Sequence, residues 1–188
     1  MLPHPTTPTV YINLEHRADR RVQIEHELRQ VWGLTRVVRL PATRRQPGFE
    51  GCTESHIRAL QLLRAWPDVQ PDDWVQVFED DFVLWPDRPV CYPDVTTEVV
   101  LWGSRVVRWG PTKGPGWREV RCSLTSSGYA VRWRYIPTLL ACLREAWHYR
   151  VPLDVHWQRW QARGGWVASP AGHQRPSYSD IEEREVAY

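Results

Sequence analysis

The sequence predicts an α/β fold in which helices pack on a mixed, mostly parallel central sheet, and three observations carry that expectation. Between Thr9 and Asp81, short apolar runs alternate with longer amphipathic stretches in the order β-α-β-α-β. The runs are β-branched and aromatic, whereas apolar residues in the stretches recur at three- and four-residue spacing. The chain has 188 residues, 42% apolar and 24% charged, enough for one sizeable core and too short for two. A single domain over 1–188 is therefore expected.

Taken in order, Thr9 to Leu14 (TVYINL) reads as a buried strand. Asp19 can cap a helix whose stripe of Ile24, Leu28 and Val31 ends at Gly33. Val37 to Leu40 is a second strand, and a second helix runs from about Thr53 to Trp66 before Pro67 ends it. The third strand, Trp74 to Phe78, leads straight into Glu79-Asp80-Asp81. Beyond it, strands are expected at Val99–Trp102, Arg105–Trp109, Val120–Leu124 and Gly128–Trp133, close enough together for antiparallel pairing. Gly110 to Gly116 reads as a mobile loop, because glycine and proline oppose a regular ladder. Helices follow at about Pro137–His148 and Pro152–Ala162, then a strand at Gly165–Ala168 and a helical turn opened by the capping-box spacing Ser179-Asp180-Ile181-Glu182.

Composition excludes several classes. Basic and acidic residues nearly cancel, 24 against 22, so no strong overall field draws the molecule to nucleic acid or anionic lipid. No apolar run approaches the roughly 20 residues of a membrane span, and Met1-Leu2-Pro3-His4-Pro5 lacks a signal-peptide layout, so a cytoplasmic location is expected. Cys52, Cys91, Cys122 and Cys142 show no C-x-x-C spacing, which argues against a zinc site or redox pair and for reduced, mostly buried thiols. Lys113 is the only lysine among the 24 basic residues, and 12 tryptophans are present. Planar arginine forks suit phosphate, although a genomic bias yields the same excess. Trp74 is expected in the core, and Trp109, Trp117 and Trp157 near ligand-facing loops.

Glu79-Asp80-Asp81 is the most informative feature, since ligands of open α/β sheets gather at the carboxyl ends of strands. Adjacent carboxylates repel unless a cation compensates, and oxygen donors suit Mg²⁺ or Mn²⁺. Alternation along a strand lets Glu79 and Asp81 address one ion while Asp80 points elsewhere; a solvated acidic turn is the plain alternative. The arginine-rich turn around Asn13, Leu14, Arg17 and Arg20 can receive a phosphate at a helix start or be an ordinary charged first turn. Cys52 and His56 lie one helical turn apart, with no third group visible to orient a base. Ser127-Gly128-Tyr129 places small residues where a ligand can approach, or makes a tight turn. Asp154 can cap its helix or, desolvated by tryptophans, act as a general base. His173-Gln174 can supply a late ligand to the ion or to phosphate, with a solvated histidine as the plain alternative.

Four segments in order, Val10 to Arg21, Gly51-Cys52-Thr53-Glu54-Ser55-His56, Val77-Phe78-Glu79-Asp80-Asp81 and Ser127-Gly128-Tyr129-Ala130-Val131, resemble the successive motifs of glycosyltransferase family 25. The resemblance covers about 9–135 and extends to Tyr178-Ser179-Asp180-Ile181-Glu182, which is similar to short viral and bacterial members. It implies a GT-A-like three-layer α/β/α sandwich, with a nucleotide-binding half at about 9–82 and an acceptor-side half at about 95–188. It also implies an inverting transfer from a UDP-sugar with Mn²⁺ or Mg²⁺. Carried over by position, Asn13, Arg17 and Arg20 would lie by the nucleotide and Ser55 and His56 near the donor, while Glu79 and Asp81 would hold the ion. Leu14, Asp80, Ser127, Gly128 and Tyr129, within the same motifs, are further candidates to border the nucleotide sugar, and His173 is a further candidate ligand of the ion. No motif fixes the catalytic base; Asp154 is expected in that role because it follows the Gly-Tyr-Ala-Val strand and precedes a helix. The chain is shorter than usual members, which leaves the acceptor open among a glycan, a protein and modified DNA. A nucleotide-sugar hydrolase or inactive binder, and an Arg/Trp-rich nucleic-acid-binding module, are the competing readings.

Overall fold

The computed structural model describes residues 4–85, 93, 96–168, 171–179 and 184–186. β1 (Thr9–Asn13) is buried along its whole length, with Val10 and Ile12 on one face and Tyr11 on the other. α1 (Ala18–His26) follows and continues as a π-helical turn, Glu27–Val31. The residue at its N-cap is Arg17, not Asp19; Asp19 sits inside the first turn and pairs with Arg17 at 3.1 Å. β2 (Val37–Pro41) lies parallel to β1. α2 (Gly48–Arg64) starts at Gly48 instead of Thr53, because it packs against the loop after β2: a Cβ on Gly51 would stand 2.4 Å from the Thr43 carbonyl oxygen. β3 (Trp74–Glu79) completes the parallel unit on the other side of β1.

The second half contains β4 (Phe82–Leu84), β5 (Val99–Leu101), β6 (Arg105–Gly114), β7 (Trp117–Leu124) and β8 (Gly128–Arg132). α3 (Ile136–Tyr149), α4 (Leu153–His156) and α5 (Gln158–Gln161) come next; the single helix expected over 152–162 is two short ones. β9 (Trp166–Ala168), β10 (Gly172–Gln174), β11 (Ser177–Ser179) and β12 (Arg184–Val186) end the chain. Ser179 therefore lies in a strand, not at a helix cap; residues 180–182 and Cys91 fall outside the described residues. The expected loop at 110–116 is instead the end of the β6–β7 hairpin, held by a ladder with repeated register shifts. Pro111 is tolerated because β6 is an edge strand.

The main sheet has the order β2-β1-β3-β8-β5-β9-β7-β6. It is mixed, as expected: β1 with β2, β1 with β3, and β5 with β9 are parallel, and the other four ladders are antiparallel. Parallel pairing thus dominates the N-terminal half and not the whole sheet. Strand alternation sends Val75, Val77, Val99, Leu101 and Val131 to a core shared with α2, α3 and α4. Trp74, Phe78, Val100 and Ala130 face a second core under α1 and the two-stranded β4–β10 ladder. Two cores on opposite sheet faces make the layered α/β sandwich. No helix among the described residues is long and apolar enough to cross a membrane.

Candidate active site

The sheet order places β1 between β2 and β3, so the chain leaves the carboxyl ends of all three strands on one side, where α/β sheets bind ligands. A cleft opens there, lined by Ile12 and Leu14 after β1, by Ala42 to Gln46 after β2, by Gly48, Cys52, Ser55 and His56 of α2, and by Glu79, Asp80 and Asp81 after β3. Arg20 and Gln174 complete the wall. The enclosed volume is about 110 Å³, so a large ligand would lie along this cleft and not inside it.

The three acids have different surroundings. Glu79 Oε1 accepts from Ser126 Oγ at 2.6 Å and lies 3.2 Å from His56 Nε2. His56 is fully buried, and its Nδ1 is 3.1 Å from the Tyr129 hydroxyl. These partners assign the ring: Nε2–H donates to the carboxylate and Tyr129 donates to Nδ1. Burial opposes ionisation of Glu79, yet the donors of His56 and Ser126 leave its carboxyl below the ordinary value. Asp80 accepts from Asn13 Nδ2 at 2.7 Å and from Arg20 at 3.2 Å, but burial still raises it. Asp81 is pushed to about 7 by burial and by the charges of Glu79 and Asp80, with the Gln174 amide at 2.9 Å offsetting little. Its Oδ1 is buried and has no hydrogen-bond partner among the described residues.

Cys52, His56 and Glu79 each bring one donor atom within 4.8 Å of the others, the three-residue metal-competent group found among the described residues. The third group that the Cys52–His56 spacing lacked in sequence is thus Glu79. A nucleophilic pair is disfavoured all the same. Both nitrogens of His56 are engaged, and burial with the charges of Glu79 and Asp154 pushes the Cys52 thiol well above its usual value.

Other expected residues brace the acids and loops, Arg20 and Ser55 from the cleft wall itself. Asn13 is 1% exposed, and its Oδ1 accepts from Arg39 while Nδ2 holds Asp80, so it braces an acid instead of facing the cleft. Arg20 reaches Asp80 and Asp81, the latter at 3.7 Å, and Arg17 is turned to Asp19. Ser55 Oγ accepts the Thr43 N–H at 2.8 Å, fixing the loop after β2. Ser127 contributes its carbonyl to the Glu79 N–H. The space beside Gly128 is filled, not open: a Cβ there would meet the Phe82 ring at 2.8 Å and Phe78 at 3.0 Å. Tyr129 reaches the site only through His56.

No protein-family profile matches the chain, and no curated protein matches it. Solved structures do match. One is the crystal structure of a glycosyltransferase involved in glycosylation of the major capsid of PBCV-1, with a TM-score of 0.57 at 8% identity over 88% of this chain and 82% of that one. The chain shares the fold of that structure.

Two further expectations change. Asp154 is in the first turn of α4, where Pro152 is the N-cap. Its Oδ2 accepts the Thr125 N–H at 2.9 Å, and its carboxyl is raised by burial; it lines neither this cleft nor the next. His173 lies beside Gln174 in β10, and strand alternation turns it away from Asp81. It lines a second cavity of about 380 Å³ with Trp85, Trp109, Arg105, Thr125 and the backbone of Gly103 and Gly172. Gln174 borders both spaces. Of the tryptophans expected near ligand loops, Trp117 and Trp157 are core, whereas Trp109 is 39% exposed.

Sequence reasoning missed Arg44 and the N-terminus of α2. Arg44 is exposed at the cleft, and α2 begins there without a side-chain cap; the Glu50 N–H is held by the Pro47 carbonyl at 3.1 Å, and Gly48, the first residue of the helix, lines the cleft. The Arg44-Arg45 pair ahead of Gly48 was the available signal.

Proposed function

We propose that the protein is a metal-dependent glycosyltransferase of the family 25 type, moving a sugar from a nucleoside diphosphate sugar, UDP-linked by the family resemblance, to a hydroxyl acceptor. The carrying observation is the buried Asp81 beside Glu79 at the carboxyl end of β3, whose Oδ1 has no partner among the described residues. Stacked negative charge with an unsatisfied oxygen fits a hard divalent cation such as Mn²⁺ or Mg²⁺. Glu79 and Asp81 would hold that ion. When bound, it would neutralise the charge that grows on the departing diphosphate.

The chain's own residues supply the rest. Arg20 and Asn13 hold Asp80 and set the direction of the acidic turn. Arg44 and the open start of α2 receive phosphate oxygens through a guanidinium fork and backbone N–H groups. The acceptor enters the second cavity, separated from the acids by Gln174. There the Nδ1 of His173 is buried with no partner among the described residues, an acceptor for the proton of the attacking hydroxyl. Asp154, through the Thr125 N–H, positions the wall of that cavity. Thr125 adopts φ of 68°, a conformation costly for a β-branched residue and kept by such contacts.

The test is calorimetry with a set of nucleotide sugars, with and without Mn²⁺. Metal-dependent binding of a nucleoside diphosphate sugar, lost on Asp81→Asn, is expected; no response to any of them would sink the reading. Product analysis then separates transfer from hydrolysis, since free sugar alone identifies a hydrolase. His173→Gln is expected to lower turnover about 100-fold with donor affinity intact, a larger loss than Asp154→Asn.

A further inference from the structure

The outer edge of the sheet carries an excess of positive charge. The β6–β7 hairpin, 105–124, carries five basic residues, Arg105, Arg108, Lys113, Arg118 and Arg121, and one acid, Glu119, although the whole chain is only +2. Glu119 is buried and answers Arg121 at 3.1 Å and Lys113 at 3.9 Å. Arg118 lies over the Trp109 ring, 4.9 Å from its centroid. Arg105 and Arg108 are exposed and make no ion pair among the described residues. β6 ends the sheet, so Arg105 and Arg108 stand about 10 Å apart at the start of a free edge roughly 33 Å long, with Lys113 near its other end. At its root, Arg105 and Trp109 form part of the second cavity, which Gln174 joins to Asp81.

We infer that the acceptor is an anionic glycan, seated along the basic β6–β7 hairpin with its terminal sugar in the cavity beside Gln174. The inference rests on the transferase reading and names the substrate class of its acceptor side. Carboxylate or phosphate groups spaced along such a chain meet guanidinium forks bidentately, and an edge one strand wide fits a single extended polymer. Trp109 offers an indole to the C–H face of a hexose at the cavity mouth. Single-stranded nucleic acid is disfavoured by the same surface: such sites stack successive bases on a row of aromatics, whereas Trp117 is buried and Trp109 alone on the hairpin is exposed.

The test measures binding to the full chain without nucleotide or metal. The probes are a galacturonate decasaccharide, its carboxyl-reduced neutral form and a thymidine oligonucleotide of the same length. The galacturonate is expected to bind, and to weaken at least about tenfold between about 50 and about 300 mM salt. Arg105→Ala with Arg108→Ala should cost about tenfold or more, while Arg144→Ala with Arg159→Ala, exposed on α3 and α5, changes affinity less than about twofold. Unchanged melting and elution of the hairpin variant shows that the loss is not misfolding. Equal affinity for charged and neutral decasaccharides, binding of neither, or indifference to the hairpin substitutions overturns the inference. Tighter, hairpin-dependent binding of the oligonucleotide overturns it too and assigns the strip to nucleic acid. Because donor and metal are absent from the assay, its outcome is independent of whether a nucleotide sugar binds at the acidic cleft.

Discussion

The acidic cleft and the aromatic cavity meet at Gln174 and are built on opposite principles. The cleft is a buried polar network in which Glu79 is held by His56 and Ser126 and Asp80 by Asn13 and Arg20, while Asp81 keeps one oxygen without a partner among the described residues. The cavity and its hairpin present exposed arginines, an exposed indole and a register broken by repeated shifts. A dense network fixes geometry for one chemistry, since leaving any member unpaired in a low-dielectric interior is costly. A loose, solvated edge selects by charge and shape and tolerates change. In the proposed reading, the first region conserves the donor reaction and the second adapts it to an acceptor.

This contrast can be broken most sharply at Asp81. Asp81→Asn is expected to lower metal-dependent transfer by at least about 100-fold, measured as initial rate at saturating donor, while leaving binding to the hairpin intact. The next largest effect falls on both regions at once. The Phe82 ring fits where Gly103, Gly128 and Gly172 have no side chains, with hypothetical Cβ atoms 2.5–2.8 Å from it. Phe82→Ala should destabilise the fold by about 3–5 kcal/mol, seen in chemical denaturation, and disturb both sites together.

A smaller effect is a pH dependence of the metal-free protein. The carboxyl of Asp81 is near 7 when folded and near 3.8 when unfolded, so the folded state holds the extra proton between those values. Its contribution is therefore greatest below about 4 and is lost as pH rises toward about 7. Melting temperature should fall by several degrees, about 3–6 °C, across that window, and Asp81→Asn or Mn²⁺ at neutral pH should remove the fall. A flat profile in both proteins would show that Asp81 is not held in this environment. The mildest change is Trp109→Ala, expected to raise the acceptor KM about five- to tenfold with donor affinity unchanged; equal effects on donor and acceptor would erase the distinction between the regions.

The N-terminal half was legible in sequence because its signals are local and periodic. β1 and β3 are short β-branched runs with buried faces, and Glu79-Asp80-Asp81 follows directly from the strand that places it. What periodicity does not report is which neighbour a polar side chain meets. Arg20 read as a nucleotide-facing residue; it does line the cleft, but periodicity gave no sign that its guanidinium, 7% exposed, meets Asp80, 60 positions along the chain. His173 read as a metal ligand from its type, yet the alternation of a three-residue strand puts Gln174 at the acids. The hairpin was missed for another reason. Glycine and proline normally signal a loop, but an edge strand has one side whose N–H groups need no partner, so Pro111 costs the ladder little. Trp117 and Trp157 show the same limit, since a tryptophan beside a turn packs inward or outward with no change in local pattern.

The free edge of β6 has one more consequence. A sheet that stops at a ten-residue strand exposes a row of unpaired backbone groups, and another copy of the chain could extend it indefinitely. Arg105, Arg108 and Lys113 set like charge against like charge in any such pairing, and Pro111 interrupts the donors that would be needed. The bulged, basic edge therefore also keeps the protein from polymerising through its own sheet, so solubility constrains how far that surface can be neutralised.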